Sequence, residues 1–209
     1  MSSRKKSPPE SPSGVSRRSF LKGAGVAAAG TTVLSSGLLG HAAEAPARII
    51  GPGASPITLN VNGAPRRLSL EPRATLADAL RDDLDMTGTK VICDRGACSG
   101  CTVLLDGTPV NSCMTFALDA VGHEITTIEG LGNPEHLHPV QEAFVEHDGM
   151  QCGYCTSGMV MSCAALLERN PNPTAADVQQ AISGNLCRCG TYPKVVEATL
   201  AAARSRKGA

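Results

Sequence analysis

From residue 57 onward, apolar and polar positions first alternate with a period of two. Ile57-Thr-Leu-Asn-Val61 reads as a strand, Asn62-Gly63 signals a tight type I′ turn, and Arg67-Leu-Ser-Leu70 can return as its partner, which predicts a hairpin. Thr75-Leu-Ala-Asp78 has the form of a capping box and opens a short helix with Leu76, Ala79, Leu80 and Leu84 on one face, ending before Gly88. Further strands are expected at residues 102–105 and 125–128, with a turn at Asp106-Gly107. After Gly130 the period becomes helical. Pro139 suits a first helical turn, with Val140, Ala143, Phe144 and His147 on one stripe. Met159, Val160, Cys163, Leu166 and Leu167 mark a second helix. A third begins at Thr174 with Asp177 three residues on, and a fourth near Pro193 with Val195, Val196 and Leu200 inward. Strands with one helix, then helices alone, predict an α+β chain of two units, residues 56–131 and 132–205, with a tail at 206–209.

The N-terminus departs from this pattern. Ser16-Arg17-Arg18-Ser19-Phe20-Leu21-Lys22 precedes a stretch without charged residues, and this resembles a twin-arginine signal peptide over residues 1–45. The alternatives are a transmembrane helix or a basic tail. Residues 23–40 are diluted by Gly, Ser and Thr, so a stable membrane span is not expected. The resemblance implies export of a protein already folded around its cofactors, here to the periplasm. Residues 46–55, rich in Pro and Gly, read as a linker.

Removing the N-terminal segment changes the charge picture. The whole chain of 209 residues has a formal net charge of zero, but six of its Lys and Arg lie in residues 1–45, which leaves 13 basic against 17 acidic residues beyond. A mildly acidic body without a basic, aromatic-flanked run excludes a nucleic-acid partner. Aromatic residues are scarce: two Tyr, three Phe and no Trp. The side chains that usually dominate core energetics are therefore thin on the ground, and nine cysteines are positioned to compensate through metal or disulfides.

Eight of these thiols fall into two sets, Cys93-x4-Cys98-x2-Cys101-x11-Cys113 and Cys152-x2-Cys155-x31-Cys187-x1-Cys189. Three readings compete. Disulfides are the default for small exported domains, but adjacent-but-one Cys187 and Cys189 are poorly placed to bridge each other. Four-cysteine zinc commonly uses paired C-x2-C knuckles, from which the x4 and x1 gaps depart. The first set has the plant-ferredoxin spacing C-x4-C-x2-C…C, and four thiolates per set match the needs of a 2Fe–2S rhomb, so iron–sulfur ligation is favoured. Gly96 and Gly100 inside the first loop let backbone N–H groups approach sulfur. Cys163, at the spacing of Met159 and Leu166, reads as a buried structural cysteine. His123, His136, His138 and His147 show no ligand-like pairing with carboxylates, which disfavours a Rieske centre.

Residues 88–103 (Gly-Thr-Lys-Val-Ile-Cys-Asp-Arg-Gly-Ala-Cys-Ser-Gly-Cys-Thr-Val), Gln151-Cys-Gly-Tyr-Cys-Thr-Ser-Gly-Met159 and Gly184-Asn-Leu-Cys-Arg-Cys-Gly190 resemble the small iron–sulfur subunit of the xanthine dehydrogenase and aldehyde oxidoreductase family of molybdenum hydroxylases. The resemblance implies a plant-ferredoxin-like β-grasp domain followed by a four-helix bundle, each holding one 2Fe–2S cluster. It makes Cys93, Cys98, Cys101 and Cys113 the ligands of an outer cluster, and Cys152, Cys155, Cys187 and Cys189 those of a cluster beside the molybdopterin of a large partner subunit. Gln151 takes the position that contacts the pterin, its plain alternative being a surface or capping amide, and Cys189 that of the ligand nearest it. Electrons from oxidation of an aldehyde or N-heterocycle on the partner would pass through this chain to an FAD subunit or a cytochrome c, and the chain alone would have no hydroxylase activity. A stand-alone exported electron carrier is the alternative. Ser99-Gly100, Ser157 and Gly190-Thr-Tyr-Pro193 depart from many relatives; all eight thiols are retained.

Overall fold

A computed structural model describes Arg18 and residues 50–206. The signal-peptide reading, apart from Arg18, thus lies outside the described residues, as do parts of the linker and tail. From residue 50 onward the first structure is a hairpin. β1 (Ser55–Val61) pairs antiparallel with β2 (Ala64–Leu70) in the register Val61↔Ala64. Asn62 and Gly63 have φ of 53° and 74°, as a type I′ turn requires, and its twist matches that of the flanking strands. The same chemistry recurs at Asp106 and Gly107, with φ of 48° and 75°. That turn joins β3 (Thr102–Leu105) to β4 (Thr108–Asn111). β4 is not among the expected strands, and it contains Pro109, a residue that disfavours a strand. The proline is tolerated because β4 lies at the edge of the sheet, whose order is β2-β1-β5-β3-β4. β5 (Glu124–Thr126) runs parallel to β1 and antiparallel to β3. It stops short of the expected residue 128, since Ile128 already begins α2 (Ile128–Leu131).

The predicted capping box is present. Thr75 Oγ1 accepts the Asp78 N–H at 3.1 Å, and Asp78 accepts the Thr75 N–H at 3.3 Å. It starts α1 (Leu76–Asp78), which continues as a wider π-helical turn, Ala79–Asp83. Leu76, Ala79 and Leu80 pack on Leu59, Val61, Val103 and Ile125, forming the core under the sheet.

The helical part comprises α3 (Pro139–Glu146), α4 (Thr156–Arg169), α5 (Ala175–Ala181) and α6 (Tyr192–Ser205). Its core joins Val140, Phe144, Met159, Cys163, Leu167, Val195 and Ala198. Burying Phe144 and its neighbours stabilises each by roughly 1.5–3 kcal/mol relative to exposure. The sequence pattern marked a single face on α4, yet every residue from Gly158 to Leu167 is buried. The second face is Met161 and Ala165, which pack on Leu104 of β3 with Ile128 and Leu131 alongside. α4 is therefore a central helix shared by two cores. Among the described residues no helix is long and apolar enough to cross a membrane.

Candidate iron–sulfur sites

The first thiol set is built by a loop that must curl back on itself. Asp94, Gly96 and Ser99 have positive φ of 52°, 68° and 50°, and each turns the chain so that amides face inward. Cys93 is contacted by the N–H groups of Arg95, Ala97 and Cys98, Cys98 by that of Gly100, and Cys113 by that of Gly96. The Arg95 N–H, followed by the Cys98 thiol, holds Cys93 down at about 7. Burial pushes Cys113 up to about 11 and raises Cys98. Cys113 arrives from a 3-10 turn, Ser112–Met114, after the edge strand. That turn is tied to the loop by the Ser112 hydroxyl, which donates to the Cys101 carbonyl at 2.7 Å, and by Asn111 Nδ2, which donates to Gly96 O at 3.2 Å.

The second set comes from two helix ends. Cys155 is the N-cap of α4, with Cys152 one turn earlier behind Gly153 at φ 87°. Cys187 and Cys189 lie on the segment that leads into α6. Burial pushes Cys155 up to about 12. Burial also acts upward on Cys187, but the Thr191 hydroxyl, 3.2 Å from its sulfur, and the Thr191 backbone outweigh it and hold the thiol at about 7. The Tyr192 hydroxyl accepts the Cys187 N–H at 2.8 Å. Cys152 is lowered, first by the Tyr154 N–H and then by the Cys189 thiol.

In both sets the sulfurs meet two by two. Cys93 faces Cys98 and Cys101 faces Cys113; Cys152 faces Cys189 and Cys155 faces Cys187. Among the described residues, no three donors converge on a single point that could hold one metal ion. A tetrahedral zinc needs four ligands around one centre. A 2Fe–2S rhomb needs two pairs, one per iron, and the observed arrangement fits that group. No disulfide joins any of the nine cysteines. Cys163, fully buried and pushed up to about 12 by burial, belongs to the helical core and to neither set.

Two of the histidines meet carboxylates, though not in a metal-ligating cluster among the described residues. His123 Nδ1 lies 2.5 Å from Asp106, and His147 Nδ1 lies 3.2 Å from Glu197, so two of them do pair with carboxylates. Both are side-chain hydrogen bonds at or near the surface, and among the described residues neither gathers a third metal-ligating side chain. His138 Nδ1 instead accepts the Val140 N–H at 3.2 Å and caps α3.

The two sets are joined directly. The Leu186 N–H donates to the Cys98 carbonyl at 3.0 Å, and Leu186 is the residue before Cys187. Asn185 Nδ2 donates to Ser99 O at 3.0 Å. Gly158 packs so closely on Ser99 and Gly100 that a Cβ there would collide with the Ser99 carbonyl.

Residues 59–124 match the 2Fe-2S iron-sulfur cluster binding domain, residues 127–200 the [2Fe-2S] binding domain, and residues 14–33 the twin-arginine translocation signal sequence. The aldehyde oxidoreductase iron-sulfur-binding subunit PaoA of Escherichia coli K12 is 43% identical over 199 residues, covering 88% of this chain and 86% of that protein. The chain belongs to the iron–sulfur subunits of the molybdenum hydroxylase family. The nicotine 6-hydroxylase small subunit of Paenarthrobacter nicotinovorans is 49% identical over 144 residues, covering 69% of this chain and 87% of that one. Quinoline 2-oxidoreductase from Pseudomonas putida 86 shares its fold with a TM-score of 0.71 at 43% identity, over 75% of this chain and 98% of that one. Like its relatives, this iron–sulfur subunit is a component of an oxidoreductase; it has two 2Fe–2S-binding domains and a twin-arginine signal sequence.

In this subunit Gln151 is exposed beside Cys152. The N-cap of α4 is Cys155 and has no side-chain cap bond, so of the two plain alternatives the structure disfavours a capping amide, while the exposure of Gln151 agrees with a surface amide. Sequence reasoning missed Ser112, Thr191, Tyr192 and Asn185. All act on sulfur or backbone, Ser112 and Asn185 across the fold and Thr191 and Tyr192 by folding back on Cys187; Asn185, Thr191 and Tyr192 stood inside quoted segments, but a segment does not report these contacts.

Proposed function

We propose that this chain relays electrons one at a time through two 2Fe–2S clusters during oxidation of an aldehyde or N-heterocycle on a large molybdopterin-binding partner. Cys152, Cys155, Cys187 and Cys189 hold the cluster nearer the partner, with Cys189 and Gln151 facing the pterin. Cys93, Cys98, Cys101 and Cys113 hold the outer cluster, which serves an FAD subunit or a cytochrome c. Residues 56–131 and 132–205 are the two working units. The twin-arginine signal sends the folded chain to the periplasm.

The observation that carries this reading is the Leu186 N–H to Cys98 carbonyl bond of 3.0 Å. It makes a continuous path of covalent bonds and one hydrogen bond between a ligand of one set and a ligand of the other. What the clusters supply is one-electron storage at a potential set by hydrogen bonds to sulfur and by burial. The chain's own residues supply those hydrogen bonds, bury three of the four thiols of the first set and leave the second open. Cys152 and Cys189 are exposed, and Met150, Tyr154 and Leu186 around them are exposed apolar side chains, 39%, 65% and 56% accessible. An apolar rim around an open ligand pair supports docking on a protein partner in preference to a free carrier. A hollow of about 500 Å³ lined by Arg81, Lys90, Cys152 and Tyr154 opens on the same edge, whereas one of about 610 Å³ near Ser69 and Asp78 touches no cysteine.

The test is anaerobic purification from the native host, metal and sulfide analysis, and EPR after dithionite. About four iron and four sulfide per chain, two S = 1/2 signals and co-eluting molybdenum are expected. Zinc, or a colourless chain without molybdenum, overturns the reading.

A further inference from the structure

Ser99 sits on the outer-cluster loop in the left-handed region, at φ 50°, which a non-glycine residue holds only when its surroundings impose it. Its carbonyl is gripped from two sides. The Thr102 hydroxyl donates to it at 2.8 Å from within the β-grasp unit, and Asn185 Nδ2 donates at 3.0 Å from the helical one. Asn185 is 3% exposed, and its own orientation is determined. A carbonyl can only accept, so the amide NH2 faces Ser99, and the Ser162 hydroxyl on α4 donates to Asn185 Oδ1 at 3.0 Å. Gly158 presses α4 against the same oxygen.

The peptide that carries the Ser99 carbonyl also carries the Gly100 N–H. The unit is planar and trans, so the two point in opposite directions and turn together. The Gly100 N–H is the donor that reaches the Cys98 sulfur. We infer that Asn185, oriented by Ser162, is a positioning residue for the outer cluster: it locks the Ser99–Gly100 peptide plane and thereby the N–H bond to Cys98 Sγ. Asn185 stands two residues from Cys187, a ligand of the inner set, yet its effect falls on the other cluster. A hydrogen bond to sulfur favours the reduced, more negative cluster, so loosening this plane lowers the outer potential.

This inference rests on the two-cluster reading above, and the experiment separates the two. The native complex is prepared as wild type, Asn185→Leu and Ser162→Ala, and each is titrated electrochemically with both EPR signals followed. Cys101→Ser identifies the outer signal by its loss. In iron-replete Asn185→Leu the outer midpoint is expected to shift to more negative potential while the inner one stays, with a smaller shift of the same sign in Ser162→Ala. Unchanged midpoints in both variants, or movement of the inner signal alone, overturn the inference. If Asn185→Leu fails to accumulate iron, Ser162→Ala decides. A wild type that lacks two signals would instead defeat the two-cluster reading itself.

Discussion

Of the four thiols in the β-grasp set, Cys98, Cys101 and Cys113 are buried; of the four in the helical set, only Cys155 is. The first set is wrapped by one loop whose amides face its sulfurs, and the chain supplies nearly the whole environment. The second is held at two helix ends and leaves Cys152 and Cys189 at the surface. A buried, hydrogen-bonded set is self-sufficient, whereas an open one is completed by whatever docks on it. The chain thus divides one task between a closed terminal and an open one, and α4 joins them.

The largest effects come from removing ligands one set at a time. Cys101→Ser is expected to leave about two iron per chain and the inner EPR signal, and Cys155→Ala about two iron and the outer signal. Loss of all iron in either variant would show that the sets are not independent. Next comes chelation. With the chain separated from its partner, an iron chelator under reducing conditions should strip the exposed helical set first, so the inner signal decays before the outer one. Equal decay rates would remove the contrast between open and closed. Smaller again is Phe144→Ala, at a site 1% exposed in the helical core. It should cost about 3–5 kcal/mol in denaturant unfolding. The outer signal should persist at denaturant concentrations that abolish the inner one; simultaneous loss of both would mean that the shared α4 makes the two units one cooperative block.

The contrast also sorts what could be read in the sequence. The thiol spacing, the Asn62-Gly63 and Asp106-Gly107 turns, and the capping boxes at Thr75 and Thr174 are local chemistry, and each appears where the pattern placed it. β4 contains Pro109, whose cost depends on the strand being at an edge, and sheet order is not a local property. The second face of α4 was hidden because Met161 and Ala165 gain meaning only against Leu104 of another unit. Asn185, bonded to Ser99 of the other unit, was missed for the same reason, and Thr191 and Tyr192 because their contacts with Cys187 depend on how the short loop through Gly190 folds back. Their partners lie on loops whose path is set by turns at positive φ, and no periodicity reports that path.

The smallest expected effect concerns the helical unit alone and depends on pH. Burial, reinforced by nearby Arg206, lowers His138 below its ordinary value of 6.5, and the neutral ring accepts the Val140 N–H as the cap of α3. The unfolded chain binds a proton more readily than the folded one. The contribution is therefore fully present above pH 6.5 and is lost as pH falls from there through the lower folded value. Losing a cap costs about 1 kcal/mol, which corresponds to roughly 2–4 °C in Tm for a chain of this size. His138→Asn keeps a capping acceptor that does not titrate. The Tm difference between wild type and variant should thus narrow or reverse in favour of the variant between pH 7.5 and pH 5. A difference that stays constant over that range would mean that the imidazole does not act as a cap, and that α3 is held by Val140 and Phe144 alone.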